Sequence, residues 1–85
     1  SGKIKEEHPK ADRNNPKQIG APLQGMLSKI LVKTGDTVKK NQPMFVIEAM
    51  KMETTITAPR DMKVSRIALP EATMVETDDL VVEVE

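Results

Sequence analysis

Lys51 stands between two methionines in the run Glu48-Ala49-Met50-Lys51-Met52-Glu53, and no residue in the chain is better placed to do chemistry. A lysine amine can act in two ways. As a nucleophile or Schiff-base former it needs a depressed pKa, from burial or a cationic neighbour. Its neighbours here are glutamates, which is the opposite environment. As the acceptor of an acyl group it needs only exposure, and acylation leaves a long, uncharged, mobile tether that can enter neutral pockets. The remaining side chains assemble nothing stronger. His8 is the single histidine and has no acidic or histidine partner at ligand spacing, so no metal site is expected. No Ser-His-Asp set, pair of cleft carboxylates or phosphate-binding glycine loop can be built. By itself the chain is not expected to be a catalyst.

The segments around Lys51 must position it. Met44-Phe45-Val46-Ile47 precedes it and Thr54-Thr55-Ile56-Thr57 follows, both strand-like. Pairing them about the Met50–Lys51 peptide sets Phe45 opposite Ile56, Ile47 opposite Thr54, Val46 opposite Thr55 and Glu48 opposite Glu53. One face is then mostly apolar (Phe45, Ile47, Ala49, Met52, Ile56) and the other largely polar, as in a half-buried hairpin. Two choices are poor for stability. Met-Lys is a weak filler for a two-residue turn, whose backbone wants φ > 0 and favours Asn-Gly or Asp-Gly. Glu48 opposite Glu53 sets like charges across the ladder. Local rules are often broken where a site has work to do. The plainer alternative is a surface lysine between two core methionines, with Met52 packed under the turn.

Ala49-Met50-Lys51-Met52, with Glu48 and Glu53-Thr54 as flanks, resembles the attachment motif of biotinyl carrier domains. The resemblance implies that Lys51 carries biotin in amide linkage, and that Ala49, Met50 and Met52 are read by a biotin-protein ligase. Related lipoyl domains usually place Asp-Lys-Ala at this turn, which this chain lacks. Biotin-dependent carboxylases use such domains to move a carboxyl group on biotin from a biotin carboxylase module to a carboxyltransferase module. Ala11-Asp12, Asn14-Asn15-Pro16 and Gln18-Ile19-Gly20-Ala21-Pro22 look like the segment leading into the carrier of pyruvate carboxylases, which implies pyruvate as acceptor and oxaloacetate as product. Other biotin-dependent carboxylases or decarboxylases with acyl-CoA acceptors, a lipoyl carrier, and a cofactor-free interaction domain are the alternatives.

The chain also repeats itself at an offset of 37 residues. Ile19 matches Ile56, Ala21-Pro22 matches Ala58-Pro59, Ser28-Lys29-Ile30 matches Ser65-Arg66-Ile67, and Val38 matches Val75. Apolar phase is kept as well, Leu27 with Val64, Phe45 with Val82 and Ile47 with Val84. Two such halves predict a pseudo-two-fold, all-β structure, a flattened barrel or sandwich of two antiparallel sheets as in biotinyl and lipoyl domains. Because the repeat needs no gap, neither half is expected to hold an inserted thumb loop. If 44–48 pairs with 53–57, then 81–85 should pair with 16–20 and Ile19 should face Val82. That pairing closes the structure and places Lys51 at the far end from the domain's two ends. Met26–Val32 and Lys63–Leu69 read as the longest strands. Leu27 and Ile30, three apart, predict a bulge near Ser28-Lys29. Ala72-Thr73, Asp78 and Met62 stand where the family commonly has glycine or Gly-Asp, so loop strain is expected there. Met26, Met44 and Met74 read as flexible core or rim filler.

Composition bounds the rest. Eighty-five residues allow one small domain. Thirteen basic and thirteen acidic side chains cancel, and Phe45 is the sole aromatic, so neither a nucleic-acid nor a membrane partner is expected. There is no cysteine for disulfides or zinc, and no apolar run near the roughly 20 residues of a membrane span. A cytoplasmic protein is expected, or a mitochondrial-matrix one if the source is eukaryotic. Residues 1–16, polar and with Pro9 and Pro16, read as a disordered linker in which Ser1-Gly2 is an expression remnant; residues 17–85 read as the carrier domain.

Overall fold

The computed structural model describes residues 7–85; the first part of the expected linker lies outside the described residues. Among the described residues eight strands follow one another without a helix: β1 Gln18–Gly20, β2 Gly25–Ile30, β3 Thr37–Val38, β4 Pro43–Ala49, β5 Met52–Thr57, β6 Met62–Ile67, β7 Thr73–Val75 and β8 Leu80–Val84. They form two antiparallel four-stranded sheets, ordered β1-β8-β6-β3 and β5-β4-β2-β7. The sheets form a sandwich and do not close into a barrel, so of the two forms expected the sandwich is the one adopted. Apolar side chains from both inner faces fill the space between them, with Leu27, Phe45, Ile47, Val64, Val82 and Val84 all essentially inaccessible.

The 37-residue repeat is realised bond by bond. Asn41 N–H donates to Ala58 O at 2.7 Å and Ala58 N–H to Gln42 O at 2.9 Å; their counterparts are Asp78 N–H to Ala21 O at 2.7 Å and Ala21 N–H to Asp79 O at 2.8 Å. Leu31 N–H to Met44 O and Ala68 N–H to Val81 O, both 2.8 Å, are a further pair of twins. Even the strained backbone repeats: Asn41 (φ 72°) matches Asp78 (φ 73°), and Gly35 (φ 94°) matches Ala72 (φ 68°). Strain at Ala72 and Asp78 agrees with the sequence expectation, while Met62 has no positive φ.

The expected pairings hold. Ile19 faces Val82 in β1–β8, and the register of β2 against β4 slips between Leu27 and Lys29, at the expected bulge. Val84 N–H donates to Lys17 O at 2.8 Å, stitching the seam where the domain's two ends meet. β2 leads away from the Lys51 hairpin, and the loop after it reaches Val64 through Gly35 N–H, close to Lys63 O, which accepts from Glu85 N–H. The hairpin and the seam therefore occupy opposite ends.

Three expectations need correction. The longest strand is β4, with seven residues, because β2 and β6 end at Ile30 and Ile67. β4 is also buried on both sides: Met44 and Val46 are covered along with Phe45 and Ile47. It lies between β5 and β2, where Ser28 in the β2 bulge packs against it and brings its Oγ to 3.3 Å from Val46 O. Lastly, Pro9–Pro16 is not a free linker, because it is bonded along the β7–β8 turn and into β1.

Candidate functional site

β4 and β5 pair in the register derived above: Phe45 with Ile56, Val46 with Thr55, Ile47 with Thr54, Glu48 with Glu53 and Ala49 with Met52. This leaves Met50-Lys51 as a two-residue turn, with φ of 52° at Met50 and 64° at Lys51. Both central residues are left-handed, the form that matches the twist of a hairpin and that Asn-Gly fills with least strain. For a residue with a Cβ this conformation costs about 1–2 kcal/mol. The turn is held by what lies beneath it. Ile47 is wholly buried, and the start of β2 passes so close that a Cβ on Gly25 would lie 2.6 Å from Glu48 O and 3.2 Å from Ala49 Cβ. Gly25 thus seats the base of the hairpin, a role that the sequence hints at only through a glycine opening a strand.

Above that base everything is in solvent. Lys51 is exposed, and among the described residues nothing bonds or ion-pairs its amine. Met50 is 95% exposed and Met52 71% exposed. Met52 lies on the inner side by register, but β5 is an edge strand and its end overhangs the core, so the expected packing under the turn does not occur. Met74 is exposed on β7 too, whereas Met44 is core. Glu48 and Glu53 sit opposite each other in the ladder, both exposed, and leave the hairpin acidic below its cationic tip.

The arrangement offers an amine at the tip of a β-hairpin with two thioether side chains beside it. Such an amine can be captured by an enzyme that closes around the tip. No cluster of His, Cys, Asp and Glu able to hold a metal ion occurs among the described residues. No helix among them is long and apolar enough to cross a membrane.

Residues 17–84 match the model of a family described as "Biotin-requiring enzyme". The chain belongs to that family. Biotin is accordingly the cofactor of the biotin-requiring enzymes with which it groups, and the exposed lysine on a β-turn has the chemistry to take it as an amide. Among relatives, pyruvate carboxylase of Staphylococcus aureus is 46% identical over 77 residues, 91% of this chain but 7% of that protein. The mitochondrial pyruvate carboxylase of Mus musculus is 42% identical over 78 residues, 92% of this chain and 7% of that protein. The chain thus spans about 7% of the length of these relatives. Among solved structures, urea carboxylase of Kluyveromyces lactis superposes with a TM-score of 0.75 at 30% identity, over 98% of this chain and 7% of that one. The lipoyl domain of the 2-oxoglutarate dehydrogenase complex of Azotobacter vinelandii gives 0.70 at 23% identity, over 80% of this chain and 94% of that one, and it shares the fold.

Proposed function

We propose that residues 17–85 are the biotin carboxyl carrier domain of a biotin-dependent carboxylase of the pyruvate carboxylase kind, with Lys51 as the attachment residue. The observation that carries this reading is the exposed Lys51 at the tip of a left-handed turn flanked by exposed Met50 and Met52. Strain kept at a conspicuous surface position is a pointer to use. Bound there, biotin supplies a carrier for an activated carboxyl group.

The chain's own residues do the rest. Lys51 provides the acylated arm. Ala49, Met50 and Met52 are the features a biotin-protein ligase reads, and Glu48 and Glu53 mark the hairpin stem. The sandwich holds the tip rigid and catalyses nothing itself. A biotin carboxylase module and a carboxyltransferase module of the same parent protein are the two partners served, with pyruvate the acceptor and oxaloacetate the product. Tethering raises the effective concentration of the arm at each site. The identity to pyruvate carboxylases supports this choice over acyl-CoA acceptors. A cytoplasmic location, or the mitochondrial matrix for a eukaryotic source, fits the bacterial and mitochondrial relatives.

The test is co-expression with a biotin-protein ligase followed by intact-mass measurement. One biotinyl group is expected on the wild-type chain and none on Lys51→Ala. Lipoylation, or no modification at all, would reject the reading. The acceptor is tested in the parent protein by comparing pyruvate, acetyl-CoA and propionyl-CoA, with turnover expected on pyruvate.

A further inference from the structure

The segment before β1 departs from the two-fold plan. Pro9 O accepts from Leu80 N–H at 2.8 Å, Ala11 N–H donates to Asp78 O at 2.7 Å, and Lys10 makes a lone antiparallel bridge with Asp79. Side chains reinforce the backbone: Lys10 Nζ meets Asp79 Oδ1, and Arg13 Nε donates to Asp78 Oδ1 at 2.9 Å. The segment then folds on itself before β1, with Asp12 N–H donating to Gln18 Oε1 at 2.8 Å and Asn15 N–H to Asp12 O at 2.9 Å. A Cβ on Gly20 would come within 2.9 Å of Ala11 Cβ, so the strand leaves room for the segment that crosses it.

The receiving surface is specific to the second half. Gln42 and Asp79 are twins, and each closes the turn before it in the same way. Gln42 Oε1 accepts from Lys39 N–H at 3.1 Å, and Asp79 Oδ2 accepts from Glu76 N–H at 2.8 Å. Gln42 is partly exposed and neutral. Asp79 is 1% exposed, and it is the one buried charged side chain among the described residues. A buried carboxylate needs a partner, and Lys10 supplies it. Burial pushes the Asp79 carboxyl up, but the Glu76 N–H and the ammonium of Lys10, helped by His8, outweigh that and hold it below its ordinary value.

We propose that the acidic turn Glu76–Asp79 is a docking surface for the chain's own basic segment Pro9–Arg13, forming a clasp that opens and closes while the sandwich stays folded. Clasped, the tether leaves the domain beside Leu80 instead of beside Glu83, where β1 begins. That moves the exit about 10 Å along β8 toward the hairpin end. Opened, the clasp frees residues 9–15, because Pro16 O stays held by Arg60 Nη2 and Lys17 O by Val84 N–H; that is a reach of up to roughly 25 Å. On the carrier reading above, the arm has a short tether and a long one, suited to two sites at different distances. That consequence rests on the proposed function, whereas the clasp itself is measured on the unmodified chain.

Amide hydrogen exchange by NMR on the 85-residue chain tests the clasp, comparing wild type with a Lys10→Ala/Arg13→Ala variant that removes only exposed cations. In wild type, Ala11 and Leu80 should be protected. In the variant both should exchange about tenfold faster or more, with Leu31 in the sandwich unchanged. Free-chain exchange of Ala11 in wild type, or unchanged rates in the variant, would overturn the clasp. Loss of protection at Leu31 together with Ala11 would overturn it too, since the segment would then be part of the fold and not a separable device. None of these results depends on whether Lys51 accepts biotin.

Discussion

The two halves of the sandwich share a plan and differ at its ends. In the first half β4 runs into a hairpin and returns as β5. In the second, β8 stops at a seam that the Val84–Lys17 hydrogen bond crosses. The difference explains a pair of twins that otherwise look unrelated, Gly25 and Met62. Gly25 has no room for a side chain because the hairpin stem fills the space above it. Met62 stands where the second half has no stem, and its buried side chain covers the core there. A large residue and the smallest one thus solve the same problem, according to whether the chain continues.

Core twins should show the largest effect. Phe45→Ala is expected to cost about 3–5 kcal/mol, while Val82→Ala at the matching place should cost about 2 kcal/mol. Urea midpoints read the difference, and equal losses would mean that the two sheets share the core more evenly than their volumes suggest. Next come the twins at the ends. Gly25→Ala should destabilise by about 1–3 kcal/mol, because the contacts it meets include backbone. Met62→Ala should cost about 2 kcal/mol by leaving a void. If Gly25→Ala were neutral, the close seat under the hairpin would be wrong.

Much of this plan was legible in the chain itself. The β4–β5 register follows from alternation about Met50-Lys51, and the pairing of Ile19 with Val82 follows from carrying that register through the repeat. Period-two reasoning failed at β4 because it assumes a strand with one wet face, and β4 is covered on both. It failed at Met52 because the register tells which side a residue is on, and says nothing of whether core extends that far. The clasp is hidden for a different reason. Prolines and polar residues fit a linker, and the partners at Asp78 to Leu80 lie more than sixty positions away. Lys10 and Arg13 against Asp78-Asp79 was the available signal, a matching of charges between distant segments.

Smaller effects separate the two halves further. Gly35→Ala should destabilise by about 0.5–1 kcal/mol, a pure backbone cost since a Cβ there meets nothing within 4 Å. Ala72→Gly, its twin, should stabilise by a similar amount, the strain of φ 68° being relieved. Thermal midpoints moving in the same direction for both would break the equivalence of the two turns. The smallest effect is acid sensitivity. Asp79 is held below its ordinary value of 3.8, so its contribution is full above that pH and fades as pH falls through the lower folded-state value. Denaturation at about pH 6 and about pH 3 should therefore show a loss that Asp79→Asn reduces and that Gln42→Asn leaves in place.

The seam itself carries one more consequence. Lys17 and Val84 are already hydrogen-bonded neighbours, and their twins Thr54 and Ile47 face each other in the ladder at the other pole. A circularly permuted chain, opened at the exposed Gly35 loop and joined across the seam by a short bridge bearing a second lysine, would have two matching poles. Such a molecule would ask whether a handle at either end of the sandwich can be loaded alike.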